Sequence, residues 1–225
     1  MSLDAEKSIQ EMMEVGSQLY QKGLLVGTDG NFSIRLNEKE IVITASGFCK
    51  GKLQESSFTV VSPDGEVLSG SKPARDIRMH LAVYRQRPDV TAVVHAHPPA
   101  ATGLSMTSGI EQELSRVALP EVLFNLNGIA ITEYCTPISC EVPEELAKAM
   151  KKTPQADAVL LANHGALTMG NTIWEAFYKM ETLEMFCKAL FVSKLFGTTS
   201  YLSKEQVEKV HRLIKGEDPD TVARS

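Results

Sequence analysis

The spacing of apolar residues in the first third of the chain predicts one helix followed by short strands. Apolar positions recur at helical spacing from Ile9 to Tyr20, and Gly23 predicts the end of that helix. Four segments that follow have strand-like composition and are separated by turn residues: 32–36, 40–44, 58–61 and 66–68. The last two flank Pro63-Asp64-Gly65, which predicts a hairpin.

After Pro73 the pattern changes to helices alternating with buried strands. Ile77, His80, Leu81 and Tyr84 share one predicted helical face. Further helices are predicted over 99–106, 143–150, 172–196 and after a capping box at 203–206, and further strands around 93–95, 129–131 and 157–161. Because hairpins outnumber β-α-β units, we predict an α/β fold with a mainly antiparallel sheet, in a single domain over residues 1–225.

Composition narrows the class of protein. The chain has 225 residues with 43% hydrophobic and 23% charged residues, which is typical of one globular domain. A net charge of −5 without a basic run argues against nucleic acid as a partner, and no apolar run reaches the roughly 20 residues of a membrane helix. The N-terminus is polar and acidic, unlike a signal peptide. Four cysteines are scattered along the sequence without a Cys-x-x-Cys pair: Cys49, Cys135, Cys140 and Cys187. Together with the polar N-terminus, these isolated thiols predict a reduced, cytoplasmic protein.

Four dispersed residues have the chemistry of a metal site. His95 and His97 lie near the end of a predicted strand, where residues i and i+2 share a face. Asp76 precedes a helix and His164 follows a buried strand; three imidazoles and one carboxylate suit zinc. Each also has a structural interpretation, because a His-x-His pair can be part of the core, His164 can belong to a turn and Asp76 can cap its helix.

Three further polar residues lie on or beside apolar helical faces. For His80 we expect a core or supporting role, and for His211 a structural one. Glu184 falls on the apolar stripe of the longest predicted helix, which is unusual for a carboxylate. It is expected either to hydrogen-bond a ligand histidine or to face a subunit interface.

Three spaced segments of the chain form one combined pattern: Pro73-Ala-Arg-Asp-Ile-Arg-Met-His80, Arg87-Pro-Asp-Val-Thr-Ala-Val-Val-His-Ala-His-Pro-Pro99 and Leu160-Leu-Ala-Asn-His-Gly-Ala-Leu167. Together they resemble the class II aldolase/adducin-head family, which includes L-fuculose-1-phosphate aldolase and L-ribulose-5-phosphate 4-epimerase. The resemblance extends from the first helix to about residue 196. It implies a three-layer α/β/α domain and a homotetramer with active sites at subunit boundaries.

The resemblance also assigns site residues. It implies a divalent metal, zinc first with Mn²⁺ or Co²⁺ as alternatives, held by His95, His97 and His164 with Asp76 as a further ligand. Phosphate-binding positions of the family map onto two glycine-containing turns: Gly30, Asn31, Ser46 and Gly47. Glycine admits a phosphate close to the backbone, while Asn and Ser supply neutral donors, although both segments can also be ordinary turns.

One segment departs from the pattern of the family's aldolases. They usually carry Ser-Ser-Glu where this chain has Ala74-Arg75-Asp76. Arg75 offers a bidentate cation for a phosphate or a carboxylate, and Asp in this position is similar to the epimerase branch. Aldolases of the family also use a tyrosine from a neighbouring subunit, for which Tyr134 and Tyr201 are candidates.

These features predict a metal-dependent aldolase acting on a ketose 1-phosphate similar to fuculose 1-phosphate. The products would be dihydroxyacetone phosphate and an aldehyde, with Asp76 as the catalytic general acid/base. Three alternatives stay open: a pentulose-5-phosphate 4-epimerase, a sugar-acid phosphate decarboxylase, and a non-catalytic scaffold.

Overall fold

An eight-stranded sheet forms the middle layer of the structure, a computed structural model that describes residues 3–217. The strands are β1 (Asn31–Arg35), β2 (Ile41–Thr44), β3 (Phe58–Val61), β4 (Val67–Gly70), β5 (Ala92–Ala96), β6 (Ile129–Ile131), β7 (Ala158–Leu161) and β8 (Gly165–Gly170). The helices are α1 (Leu3–Gln21), α2 (Ile77–Gln86), α3 (Pro99–Ser105), α4 (Ile110–Leu114), α5 (Pro120–Leu126), α6 (Val142–Lys152), α7 (Ile173–Phe196) and α8 (Lys204–Ile214). Two short 3-10 turns lie at Lys50–Lys52 and Glu55–Ser57.

The strand order is β4-β3-β2-β1-β5-β8-β7-β6, and the sheet is mainly antiparallel as predicted. Among the strands of residues 3–217, the β6–β7 pair is parallel and the other pairs are antiparallel. The register places Asn31 of β1 opposite His95 of β5, and Ala96 opposite Ala166 of β8. The start of β1, the end of β5 and the start of β8 therefore meet at one end of the sheet.

Two separate apolar cores confirm the three-layer architecture. Successive residues of a strand face opposite sides of the sheet, so Val94 joins Phe32 in the core beneath α1 and α7. Val93 joins the other core, beneath α2 and α6, together with Leu81 and Leu146. Residues of odd number at the end of β5, including His95, therefore face the α2 side.

The longest helix, α7, begins and ends as predicted. The Thr172 hydroxyl accepts a hydrogen bond from the Glu175 N–H, at 3.0 Å. Although α7 has 24 residues, no helix within residues 3–217 is both long and apolar enough to span a bilayer. Its buried face carries Lys179 and Glu184.

Local turn chemistry was a reliable guide, whereas short elements were missed. The hairpin of β3 and β4 and the capping box of Ser203 and Gln206 are present. Strand β8 was not predicted, because its sequence Gly-Ala-Leu-Thr-Met-Gly lacks a period of two and is bracketed by glycines. Helices α4 and α5, of five and seven residues, were missed because such lengths show too little periodicity.

Candidate metal centre

His95 is held by the sheet itself. It lies in β5, is 1% exposed, and its Nδ1–H donates to the carbonyl oxygen of Ala166 at 2.9 Å. A carbonyl oxygen can only accept, so the proton is on Nδ1 and the Nε2 lone pair is free. This is the arrangement in which a protein orients a histidine that ligates a metal.

His97 and His164 reach the same place from two loops. His97 follows the end of β5, and its backbone N–H donates to the Leu24 carbonyl at 3.2 Å. His164 belongs to the turn between β7 and β8, where Asn163 has a φ of +55°. A Cβ on Gly165 would lie 2.6 Å from Cδ2 of His97, so glycine there lets the turn pack against the imidazole.

The three imidazoles converge as a potential ligand set. Their ring centroids are 4.8–5.0 Å apart, and one ring nitrogen of each lies within 4.8 Å of the others. The Nε2 atoms of His95 and His97 are 3.1 Å apart. Three nitrogen donors this close together could bind a zinc-type ion, with room for a fourth ligand.

The electrostatics of the cluster favour neutral rings. Burial lowers the pKa of all three histidines, and the neighbouring imidazoles lower the pKa of His95 and His164 further. Asp29 and Asp76 oppose this effect at His97 and His164 without reversing it. Because burial lowers the pKa of His97, its ring is neutral at neutral pH, and its Nδ1 forms no ion pair with Asp29, whose carboxylate lies 3.9 Å away. Neutral imidazole is the form that binds a metal.

Asp76 lies beside the cluster but is not one of the groups in mutual ligand contact. It occupies the N-cap position of α2, as its structural interpretation predicted, but its side chain makes no capping hydrogen bond. Its Oδ2 instead accepts from Nδ2 of Asn31 at 2.9 Å. The carboxylate is therefore directed towards the sheet end that carries the histidines.

Asn31 is linked in turn to a buried polar chain. Its Oδ1 is 2.6 Å from Nε2 of His80, whose Nδ1 is 2.7 Å from Oγ of Ser33. Ser33 also contacts the hydroxyl of Tyr84 at 2.7 Å. Burial lowers the pKa of His80 to about 4, so this ring is neutral at physiological pH. His80 is the fully buried core residue that the sequence suggested.

The two predicted phosphate loops are joined by a lysine that sequence reasoning missed. Nζ of Lys50 donates to the carbonyls of Thr28 and Phe48, at 2.9 and 2.8 Å. Lys50 is 2% exposed, and burial lowers its pKa. The first loop also packs against the end of the sheet that carries the histidines, because a Cβ on Gly30 would lie 2.7 Å from the carbonyl oxygen of His95. Gly30 has a φ of +72°, a conformation that favours glycine. No local pattern around Lys50 signals its burial.

Ser46 and Gly47 of the second loop lie next to the segment that carries Arg75. The Ser46 N–H donates to the Lys72 carbonyl at 2.9 Å, and Ala45 pairs with Pro73, so the second loop lies against the segment that leads to Arg75. Arg75 is exposed, and within residues 3–217 it has no hydrogen bond or ion pair. Its guanidinium is available to an anion.

Glu184 forms no hydrogen bond with a ligand histidine among the contacts of residues 3–217, so that sequence interpretation is wrong, whereas its position at a subunit interface stays a prediction. Its buried carboxylate accepts hydrogen bonds from the N–H groups of Ala100 and Ala101, at 2.9–3.1 Å, and pairs with Lys188 at 3.2 Å. These N–H groups form the first turn of α3, directly after His97 and two prolines. Glu184 thus fixes the helix that follows a candidate ligand.

The two candidate tyrosines lie elsewhere. Tyr134 is 61% exposed beyond β6, and the hydroxyl of Tyr201 bonds to Glu113. Arg116 lies over the Tyr201 ring, 3.7 Å from its centroid. Among the contacts described for residues 3–217, neither tyrosine reaches the histidines of its own chain, and a tyrosine of a neighbouring subunit stays a prediction.

Comparison with known proteins agrees with this geometry. Residues 10–191 match the family described as Class II Aldolase and Adducin N-terminal domain. The 3-oxo-tetronate 4-phosphate decarboxylase of Escherichia coli K12 is 34% identical over 184 residues, covering 81% of this chain and 85% of the relative. The L-fuculose phosphate aldolase of Methanococcus vannielii is 32% identical over 180 residues, covering 80% and 93%. A solved L-fuculose 1-phosphate aldolase superposes with a TM-score of 0.84 at 30% identity, covering 96% and 98%. The chain therefore belongs to the class II aldolase and adducin family, as one of its enzymes.

Proposed function

We propose that this chain is a metal-dependent lyase that cleaves a carbon–carbon bond near the carbonyl group of a phosphorylated sugar or sugar acid. The observation that carries the proposal is the convergence of three neutral imidazoles beside the carboxylate of Asp76. His95, His97 and His164 would hold the ion, with zinc the first choice and Mn²⁺ or Co²⁺ as alternatives. When bound, the ion supplies a Lewis acid that draws electrons from the substrate carbonyl.

The residues around the cluster would bind and orient the substrate. The backbone N–H groups of the Gly30 and Gly47 turns and the hydroxyl of Ser46 suit a phosphate, and Lys50 adds positive charge behind both loops. Asp76 has one oxygen held by Asn31, which leaves Oδ1 to exchange a proton with the reacting carbon. Its role as a further metal ligand belongs to the same proposal.

Decarboxylation of a 3-oxo sugar-acid phosphate is the reaction that we favour. In this reaction the bond to the carboxylate breaks, its electron pair moves towards the ketone, and a proton is delivered to the carbon. The decarboxylase from Escherichia coli is 34% identical to this chain. Arg75, exposed and unpaired next to Asp76, adds the cation that a substrate with two anionic groups requires.

Aldol cleavage of a ketose 1-phosphate is the second candidate. The aldolase from Methanococcus vannielii is 32% identical, and the solved aldolase has the TM-score of 0.84 given above. The same residues serve this reaction, because it too places an electron pair next to a ketone and returns a proton to carbon. Epimerisation at C4 stays a sequence-based prediction.

Assay of the zinc-loaded protein with two substrates would test the proposal. We expect CO₂ from 3-oxo-tetronate 4-phosphate, or dihydroxyacetone phosphate from L-fuculose 1-phosphate, and loss of activity after treatment with a chelator. Asp76→Asn, as a matched control, should abolish turnover in protein that still holds metal on the three histidines. Full activity after exhaustive metal removal, or trapping of substrate on a lysine by borohydride, would contradict the mechanism.

We also propose a cytoplasmic homotetramer with its active sites at subunit boundaries. Three apolar side chains near the end of α7 are exposed: Phe191 by 61%, Leu195 by 70% and Phe196 by 90%. Such a patch is unusual on a monomer, and α8 has no buried residue in the single chain. Light scattering on wild type and on Leu195→Glu tests the assembly, with a monomer expected for the variant; a monomeric wild type would contradict it.

A further inference from the structure

We propose that His80 is a positioning residue, which holds the amide of Asn31 and through it the carboxylate of Asp76. The inference rests on the proposed function, since it assigns a supporting partner to the residue placed there as the general acid/base. Neither the family resemblance nor the metal cluster requires it. It comes from the direction of the buried hydrogen bonds.

The carboxylate of Asp76 fixes the direction of the whole chain. An ionised carboxylate can only accept, so the nitrogen of the Asn31 amide faces Asp76 and its oxygen faces His80. Nε2 of His80 must then carry the proton and donate at 2.6 Å. Nδ1 is consequently an acceptor, and the hydroxyl of Ser33 donates to it at 2.7 Å. The Tyr84 hydroxyl, 2.7 Å from Oγ of Ser33, completes the chain as its outermost donor.

The hydrogen bond between Asn31 and Asp76 competes with the capping of helix α2 by the Asp76 carboxylate. An Asp at the N-cap of a helix normally accepts a hydrogen bond from the first turn, a contact worth about 1 kcal/mol. Asp76 occupies that position in α2 and makes no such bond. The bond to Asn31 replaces the helix cap, so the carboxylate turns away from its own helix towards the histidines.

Burial makes the arrangement a rigid one. His80 and Ser33 are both 0% exposed and Asn31 is 3% exposed. A rotation of the Asn31 amide would place two donors against each other at His80 and an oxygen against the carboxylate, with no water to compensate. His80 protonated on Nε2 therefore holds the Asn31 amide in the one orientation whose N–H group faces Asp76.

A structural measurement tests the inference without any assay of activity. We expect ¹⁵N spectra of histidine-labelled protein to show His80 protonated on Nε2 and unprotonated on Nδ1. In a crystal structure of His80→Leu, Asp76 should leave Asn31 and cap α2. Protonation on Nδ1, or an unchanged Asn31–Asp76 bond in His80→Leu, would overturn the inference.

Kinetics separate a positioning role from simple packing. His80→Leu should lower kcat about 10- to 100-fold while KM and bound metal stay within threefold of wild type, because only the presentation of Asp76 changes. In His80→Gln the amide nitrogen can replace Nε2 as donor, so most of kcat should return. An equal decrease of kcat in His80→Leu and His80→Gln, or a change in KM with kcat unaltered, would contradict the positioning role.

Tyr84→Phe is the matched control. It removes a hydroxyl of the same buried network but leaves the contacts of His80 with Ser33 and Asn31 in place. We expect lower stability and a kcat within twofold of wild type. If wild type turns over none of the substrates, the proposed function fails, whereas the spectra and the variant structure still decide the role of His80.

Discussion

Polar clusters of similar size lie at the two ends of β5, and they are built in opposite ways. At the end of the strand, His95 lies among two other imidazoles, groups of the same kind that lower the pKa of His95. At its start, Arg87, Asp157 and Lys179 form a network of opposite charges. Asp157 accepts from Arg87 at 3.0 Å through one oxygen and from Lys179 at 2.9 Å through the other.

This difference indicates that the charged network stabilises the fold, whereas the histidine cluster is suited to binding a ligand. In the charged network every described partner is satisfied: Asn127 and Glu175 supply further hydrogen bonds, and the Asp89 and Asp157 carboxylates raise the pKa of Arg87. At the histidine end, ring nitrogens face one another, with Nε2 of His95 and Nε2 of His97 3.1 Å apart, and the carboxylate at the N-cap of α2 does not cap the helix. A cluster whose groups lack complementary partners in the protein is one that a ligand can complete.

The largest effect should come from breaking the histidine cluster. His164→Ala should abolish stoichiometric metal binding and lower kcat by about a thousandfold or more, because a bound ion contributes several kcal/mol to the transition state. The stability of the metal-free protein should change by less than about 1 kcal/mol, since this half-buried ring belongs to a turn. Metal analysis, turnover and urea unfolding measure the three quantities. A variant with wild-type metal content and activity would remove His164 from the site.

The charged network should show the reverse behaviour. Asp157→Asn would place an amide donor either against Arg87 or against both Asn127 and Lys179, and should lower the free energy of unfolding by about 3 kcal/mol. Turnover per folded molecule should stay at the wild-type value. Asp89→Asn is the matched control: this exposed carboxylate binds the same arginine, and its loss should cost less than about 1 kcal/mol. A similar decrease in the free energy of unfolding of the two variants would show that the stabilising effect of Asp157 does not depend on its burial.

The same contrast explains what the sequence could predict. His95 and His97 were identifiable because strand periodicity places them on one face, and Asp76 because it begins a periodic helix. The contacts of Lys50 with Thr28, and of Glu184 with Ala100, join residues 22 and 84 positions apart. Such pairings depend on how elements pack, and a local pattern records the residue type but not its partner. For this reason Glu184 could be recognised as unusual, but its hydrogen bonds to Ala100 and Ala101 could not be predicted.

Acid should weaken the metal-free protein through its buried histidines. Their pKa values in the folded state are below the value of about 6.5 expected in the unfolded chain, so the unfolded state binds more protons as the pH falls below 6.5. Stability is therefore complete above pH 6.5 and declines towards pH 4. His80 alone, with a pKa of about 4, should account for on the order of 3 kcal/mol across that window.

Urea unfolding in the presence of a chelator, at several pH values between 7.5 and 4.5, measures this decline. His80→Gln should unfold with a shallower dependence on pH, and its curve should run parallel to that of wild type above pH 7. An equally steep decline in both proteins would show that His80 titrates freely in the folded state.

The smallest effect on metal binding should come from a change at Glu184. Its carboxylate is satisfied by hydrogen-bond donors, like the carboxylates at the start of β5, but it lies near the histidines. Pro99 has no N–H, so the first free N–H groups of α3 belong to Ala100 and Ala101, and the Glu184 carboxylate receives both. Glu184→Gln removes the charge and one acceptor. It should lower stability by about 1 kcal/mol and metal affinity by about three- to tenfold, less than the loss of a group bonded directly to a ligand.

Zinc titration monitored by a competing chelator measures the affinity. Lys188→Met serves as control, because it removes the exposed partner of Glu184 and leaves the hydrogen bonds to α3 intact. Weaker zinc binding in Glu184→Gln but not in Lys188→Met would show that the start of α3 holds His97 in place. Unchanged zinc affinity in Glu184→Gln would restrict this buried carboxylate to packing α3 against α7, and the pairing of β5 with β8 would then hold the cluster together without it.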